Sequence, residues 1–233
     1  MSRIILPLDN FKSKKEILTF VNKIKDIEKE LGINSIHSFK LNDALIQFGL
    51  DIIRCIKLKG YKVMADPKLY DIPNTMNNSL NALIKAGADI ITIHCSSAYI
   101  PQNQEQADRI AGVTVLTSMS EVTCKDIYNR SVQDTVNNFA ANSVAFGYKY
   151  MVCSAQDLNS LDSDYKNKFD FICPGIRPKW YLTEDDQNRV ATPEFAIKKG
   201  AELLVIGRPI LKAKDMFKAI CETNDEISKA LLN

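Results

Sequence analysis

Three ionisable groups, Asp66, Lys68 and Asp71, fall within the six residues Asp66-Pro67-Lys68-Leu69-Tyr70-Asp71. They follow a mostly apolar run, Tyr61 to Ala65, so they stand where a strand should end. Charges packed that closely at a strand terminus cost stability unless each has a partner. Strand periodicity puts Asp66 and Lys68 on the same side of the chain, and Lys40, at the end of an earlier apolar run, is placed to reach them from a neighbouring strand. Lys40, Asp66, Lys68 and Asp71 then form an alternating network of two cations and two anions. Mutual attraction in such a network holds each Lys protonated and each Asp ionised even when partly dehydrated. The plainer alternatives are a charged turn with a surface ion pair, or four unrelated surface charges.

Other polar residues also follow apolar runs: Asp9, Thr117, Gly175-Ile176-Arg177 and Gly207-Arg208. Gly207-Arg208, with the Gly175 turn on the preceding strand, suits a phosphate: glycine lets a backbone N–H approach the anion and a guanidinium grips it with two parallel hydrogen bonds. Gly-Arg-Pro alone reads equally well as a turn. The polar stretch from Arg177 to Arg189, containing Trp180 and Tyr181, suits a lid over a ligand. His37, within a strand, reads as a structural residue, and His94, ending one, as a supporting residue near the site. Metal-ligand spacing, a GxSxG elbow, a Walker-type loop and a dinucleotide fingerprint are all absent from the sequence.

These residues need a scaffold, and the chain supplies a repeated alternation of short apolar runs with longer amphipathic ones. The strands are expected at Ile4–Asp9, Ile36–Leu41, Tyr61–Lys68, Asp89–His94, Gly112–Thr117, Tyr148–Ser154, Asp170–Gly175 and Leu203–Gly207. The first helix is expected from an N-cap at Ser13 to Leu31, with Glu16 completing a capping box. Others are expected over Ala44–Leu58, Pro73–Ala86, Ala98–Ile110, Asp126–Gly147, Pro193–Lys199 and Ala213–Leu231. The near-continuous apolarity of the strands is that of strands buried on both faces. A doubly wound open sheet is the rival, but eight units in 233 residues favour a closed (β/α)8 TIM barrel as a single domain over residues 1–233. In a barrel the strand ends named above converge on one mouth.

Lys plus Arg number 30 against 28 Asp plus Glu, and no basic block stands out, so nucleic acid is not the expected partner. No apolar run approaches the eighteen or so residues of a membrane span. Ile4-Ile5-Leu6 is too short for the core of a signal peptide. The six cysteines are scattered without a CxxC pair, and several lie in apolar runs, which suits a reducing cytosol and argues against a zinc site or a disulfide framework.

In these segments the chain resembles the orotidine 5′-phosphate decarboxylase family, in its short, single-function bacterial form. The most specific match is Asp66-x-Lys68-x-x-Asp71-Ile72-Pro73-Asn74-Thr75. Val113-Thr114-Val115-Leu116-Thr117-Ser118-Met119, Val152-Cys153-Ser154, Pro174-Gly175-Ile176-Arg177-Pro178 and Asp186-Gln187-x-Arg189 add to it, between Leu8-Asp9 and Gly207-Arg208-Pro209. The resemblance implies conversion of orotidine 5′-phosphate to uridine 5′-phosphate and CO₂ in pyrimidine biosynthesis, with no cofactor and no metal, by a cytoplasmic homodimer with shared sites. It casts Lys68 as proton donor to C6, Asp66 as the group against the departing carboxylate, and Lys40 as the holder of the network and a ribose contact. Asp71 and Thr75 are expected from the partner subunit, with Ile72 also against the substrate. Asp9 is expected on the ribose, Thr117 on the pyrimidine, and Gln187, Gly207, Arg208 and Arg177 at the phosphate.

The chain departs from the family pattern at Asn42, commonly Gly, at Tyr70, commonly His, and at Ser96-Ser97-Ala98-Tyr99, which replaces a Gly-rich turn. Two other readings stay open: a Mg²⁺-dependent sugar-phosphate decarboxylase or aldolase of the same barrel superfamily, and a non-catalytic barrel that binds nucleotides.

Overall fold

The computed structural model describes residues 2–181 and 190–232. Its elements run β1 (Ile4–Pro7), α1 (Lys14–Leu31), β2 (Ile36–Leu41), α2 (Asp43–Phe48), α3 (Asp51–Lys57), β3 (Lys62–Leu69), α4 (Pro73–Ala86) and β4 (Ile90–His94). They continue with α5 (Gln104–Ala107), β5 (Ile110–Val113), α6 (Glu121–Tyr128), α7 (Val132–Phe146), β6 (Tyr150–Val152) and α8 (Ala155–Asn159). The last are β7 (Asp170–Cys173), α9 (Pro193–Lys198), β8 (Ala201–Val205), α10 (Arg208–Leu211) and α11 (Met216–Leu232). The strands pair in parallel and in chain order, and β1 pairs with both β2 and β8. That last pairing closes the sheet into a (β/α)8 barrel and excludes the open, doubly wound alternative.

Strand alternation divides the core in two. Ile5, Met64, Ile90, Ala111, Ile172 and Leu203 pack together, one from each of six strands, as the barrel's filling. The opposite faces meet the helices: α1 buries Ile17, Val21, Ile24 and Ile27 at helical spacing. Each such aliphatic side chain contributes about 1.5–3 kcal/mol by leaving water. Ser13 caps α1 by accepting from the Glu16 N–H, but the Glu16 carboxylate accepts from the Lys12 N–H, so the expected box closes one residue upstream.

Several expected boundaries shift for local reasons. The expected helix Ala44–Leu58 is two helices, α2 and α3, parted at Gly49, whose φ of 69° ends the first. Ala98–Ile110 holds only the four-residue α5, capped by Asn103. Asp126–Gly147 is divided between α6 and α7, because Asn129 turns left-handed and Ser131 caps a new start. β5 starts two residues earlier than expected and ends four earlier, at Val113, which leaves Thr117 in the loop beyond the strand. Among the described residues no helix is long and apolar enough to cross a membrane.

Candidate active site

The chemistry gathers at the C-terminal ends of the strands, and β3 supplies its centre. Pairing of β3 with β4 runs Met64↔Ile90 and Ala65↔Ile91, then resumes at Leu69↔Ile93. Three residues, Asp66-Pro67-Lys68, therefore face a single residue, Thr92. Pro67 has no N–H to offer a ladder, and Lys68 takes a left-handed backbone, φ 50°, which costs a non-glycine residue about 1–2 kcal/mol. Bulges of this kind re-aim side chains, and here the bulge sends the Lys68 ammonium back to the Asp66 carboxylate.

Asp66 is 5 % exposed, and its carboxylate is satisfied on both oxygens. Oδ2 accepts from Lys68 Nζ at 2.9 Å and from Lys40 Nζ at 3.0 Å. Oδ1 accepts from the Thr92 hydroxyl at 2.8 Å. Lys40 Nζ also reaches Asp9 Oδ2 at 3.2 Å. The order is thus Asp9–Lys40–Asp66–Lys68, a chain of alternating charge drawn from β2, β3 and the end of β1. Burial works against the Lys40 ammonium, but Asp66 and Asp9 outweigh it and hold its pKa above the ordinary lysine value. Burial pushes the Asp9 carboxyl above its usual range, and the attraction of Lys40 recovers part of that shift. Asp9 is steadied by the following loop, where the Asn10 N–H, on a left-handed residue, donates to Asp43 Oδ2 at 3.0 Å.

A cavity of about 830 Å³ opens over this network. Asp9, Lys40, Asp66, Lys68, Thr117, Arg177, Gly207 and Arg208 all line it, joined by Ser154 from the β6 end. Gly175, at φ 75°, turns the chain out of β7, and its carbonyl accepts from the Ala191 N–H. The Arg177 N–H in turn donates to the Ala191 carbonyl at 2.8 Å, which stitches this turn to the segment entering α9. Gly207 lies against Pro7, and a Cβ there would come 3.0 Å from the proline ring, so a side chain at this position would be tight against the end of β1.

Asp71, Ile72 and Thr75 do not join this cavity. Among the described residues the Asp71 side chain bonds only to the Ile72 N–H, at 2.7 Å, and Asp71 and Ile72 are exposed. The network of one chain therefore contains Asp9 where Asp71 was expected. Gln187, with Asp186 and Arg189, lies outside the described residues.

The departures from the family pattern have physical counterparts. Asn42 donates from Nδ2 to the Asp66 carbonyl at 2.6 Å, so it is attached to the centre of the site. Ser96 and Ser97 close a single 3₁₀ turn after β4, and Ala98 takes the left-handed conformation, φ 49°, that a Gly-rich turn would supply. The Ser96 hydroxyl bonds His94 Nδ1 at 2.6 Å, and Tyr70 packs edge-on to the same imidazole. Burial, and then the Lys68 charge, hold His94 below the usual histidine pKa, which fits a neutral supporting ring. Thr92 escapes sequence reasoning because it sits inside the apolar run Ile90–Ile93. Its one signal is parity, two residues after the inward-facing Ile90.

A buried cation–anion chain stands at the mouth of the (β/α)8 barrel, beside a glycine–arginine turn. Residues 2–222 match the model of the "Orotidine 5'-phosphate decarboxylase / HUMPS family". An orotidine 5′-phosphate decarboxylase of Nautilia profundicola is 34 % identical, over 91 % of this chain and 93 % of that one. One from Lactobacillus delbrueckii subsp. bulgaricus is 31 % identical, over 97 % of both. The crystal structure of orotidine 5′-phosphate decarboxylase from Lactobacillus acidophilus superposes with a TM-score of 0.77 at 25 % identity, covering 97 % of this chain and 99 % of that one. The chain belongs to the orotidine 5′-phosphate decarboxylase family, and its class is that of a carboxy-lyase.

Proposed function

We propose that the Asp9–Lys40–Asp66–Lys68 chain carries out the decarboxylation of orotidine 5′-phosphate to uridine 5′-phosphate, the UMP-forming step of pyrimidine biosynthesis. The observation that carries this reading is the pair of ammoniums on one oxygen of Asp66, with Lys68 reaching into the cavity from a left-handed residue. Loss of CO₂ leaves an sp² carbanion at C6 with no adjacent electron sink. A fixed ammonium beside that carbon stabilises the charge and then supplies the proton, so no cofactor or metal is required. Asp66 lies where the departing carboxylate is less welcome than the transition state that follows. Lys40 holds Asp66 and, with Asp9, takes the ribose. Thr117 takes the pyrimidine, and Gly207, Arg208, Arg177 and Gln187 take the phosphate.

The site is shared within a homodimer, Asp71 and Thr75 entering the partner's cavity with Ile72 beside them. Exposure supports this. Ile46 after β2, Ile72 after β3, Ile100 after β4 and Val122 after β5 are 65–89 % exposed, and they follow four neighbouring strands at the same mouth. Exposed apolar side chains of this kind suit an interface. The whole of 1–233 works as one domain in a reducing cytosol, where the six thiols stay unpaired. Turnover followed by loss of the orotate absorbance tests the assignment: Lys68→Ala abolishes it while uridine 5′-phosphate still binds, and a Lys68→Ala protein that keeps most of its activity overturns it.

A further inference from the structure

The bulge at Asp66-Pro67-Lys68 removes two backbone groups from the sheet just where the catalytic charges are mounted. The Asp66 carbonyl follows the last β2–β3 pair, Leu41↔Ala65, and the Lys68 N–H lies in the gap of the β3–β4 pairing. Buried backbone groups left without a ladder need side-chain partners. Two side chains provide them, one from each flanking strand. From the β2 side, Asn42 Nδ2 donates to the Asp66 carbonyl at 2.6 Å. From β4, the Thr92 hydroxyl accepts from the Lys68 N–H at 2.9 Å and donates to Asp66 Oδ1 at 2.8 Å.

Thr92 is fully buried, and a single hydroxyl serves both charged residues. Its proton goes to the Asp66 carboxylate, which leaves its lone pair for the Lys68 N–H. Occupying Oδ1 fixes the carboxylate plane, so that Oδ2 is the oxygen presented to both ammoniums. Holding the Lys68 N–H stabilises a left-handed residue whose backbone otherwise has a competing, ordinary conformation. In that conformation the lysine stem would leave the bulge in another direction.

We propose that Thr92 and Asn42 are positioning residues, a two-sided clamp that keeps the Asp66–Lys68 link in the one geometry where the Lys68 ammonium and the Asp66 carboxylate meet at the cavity. Neither is asked to touch the substrate. The clamp rests on the assignment of Lys68 as proton donor and deepens it.

A misplaced proton donor slows the chemical step without weakening ground-state binding, so kcat and product affinity should separate. Thr92→Val keeps the shape and removes the hydroxyl; its kcat is expected to fall by roughly 10–100-fold while the Kd for uridine 5′-phosphate changes by less than about threefold. Thr92→Ser restores the hydroxyl and recovers most of kcat. Asn42→Ala, at a half-buried position, is expected to lower kcat by about tenfold with the same unchanged product affinity, and it carries the test if Thr92→Val does not fold. Wild-type kcat in both Thr92→Val and Asn42→Ala overturns the clamp, as does a Thr92→Ser protein no better than Thr92→Val. Lys68→Ala separates the two failures. If Lys68→Ala is inactive and the clamp variants are normal, the clamp alone is wrong; if Lys68→Ala is active, the proton-donor assignment falls and takes the clamp with it.

Discussion

Lys40 and Lys68 meet on the same oxygen of Asp66, at 3.0 and 2.9 Å, but they are not equivalent. The Lys40 side chain is 12 % exposed and anchored a second time on Asp9, whereas that of Lys68 is 35 % exposed and opens on the cavity. Lys40 is the more firmly held of the two, and Lys68 the more open to the cavity. Removing either leaves Asp66 with one ammonium and the Thr92 hydroxyl as its partners.

The same bonding decides the response to chelation. Asp66 has both oxygens engaged, Oδ2 by two ammoniums and Oδ1 by the Thr92 hydroxyl, and Lys40 holds Oδ2 of Asp9. Among the described residues no group of three or more His, Cys, Asp or Glu side chains is disposed to hold a metal. Turnover in excess EDTA is therefore expected to equal turnover without it. Strong inhibition reversed by Mg²⁺ would instead favour the metal-dependent relative of this fold.

Asp71 leads to a test of the shared site. Lys68→Ala and Asp71→Ala proteins, each inactive alone, are mixed under conditions of proven subunit exchange. Half of the dimers are then hybrids, and each hybrid carries one intact site, so activity returns to about a quarter of wild type. Continued inactivity despite exchange means that Asp71 does not cross the interface.

Arg208 opens α10 immediately after the Gly207 turn and lines the cavity. For the phosphate contact proposed above, worth about 1–3 kcal/mol, Arg208→Ala is expected to lower kcat/KM by roughly 5–150-fold. With orotidine, which lacks the phosphate, the same substitution should make little difference. An equal loss on both substrates would show that Arg208 acts through the fold rather than through the anion.

How far the sequence carries depends on which physical signal each feature left. The barrel is legible because eight apolar runs alternate with amphipathic ones, and the network is legible because Lys40, Asp66 and Lys68 sit at strand ends. The frame of β5 is not, since Ile110 to Leu116 is apolar apart from the buried Thr114 and nothing in it marks where pairing stops. Asp9's place in the network was hidden because it depends on β1 closing against β2. Asn42 was visible only as an unexpected residue, and its bond to the Asp66 carbonyl requires the bulge, which no periodicity announces. Thr92 left still less, a hydroxyl inside an apolar strand whose purpose appears only opposite Asp66-Pro67-Lys68.

His37 gives the fold a pH dependence of predictable sign. Its imidazole is half-buried in β2, and burial, followed by the charge of Lys62, lowers its pKa from 6.5 to about 4. The unfolded chain therefore binds this proton at higher pH than the folded one does. Stability from the neutral ring is fully present above pH 6.5 and is lost progressively as pH falls from 6.5 toward about 4. Allowing for partial exposure, the effect is on the order of 1–2 kcal/mol. Urea unfolding at pH 7.5 and at pH 5 should show wild type losing more stability on acidification than His37→Gln, whose side chain does not titrate. Comparing the two proteins at each pH cancels the carboxylates common to both, and an identical pH response would show that His37 takes up its proton equally readily in both states.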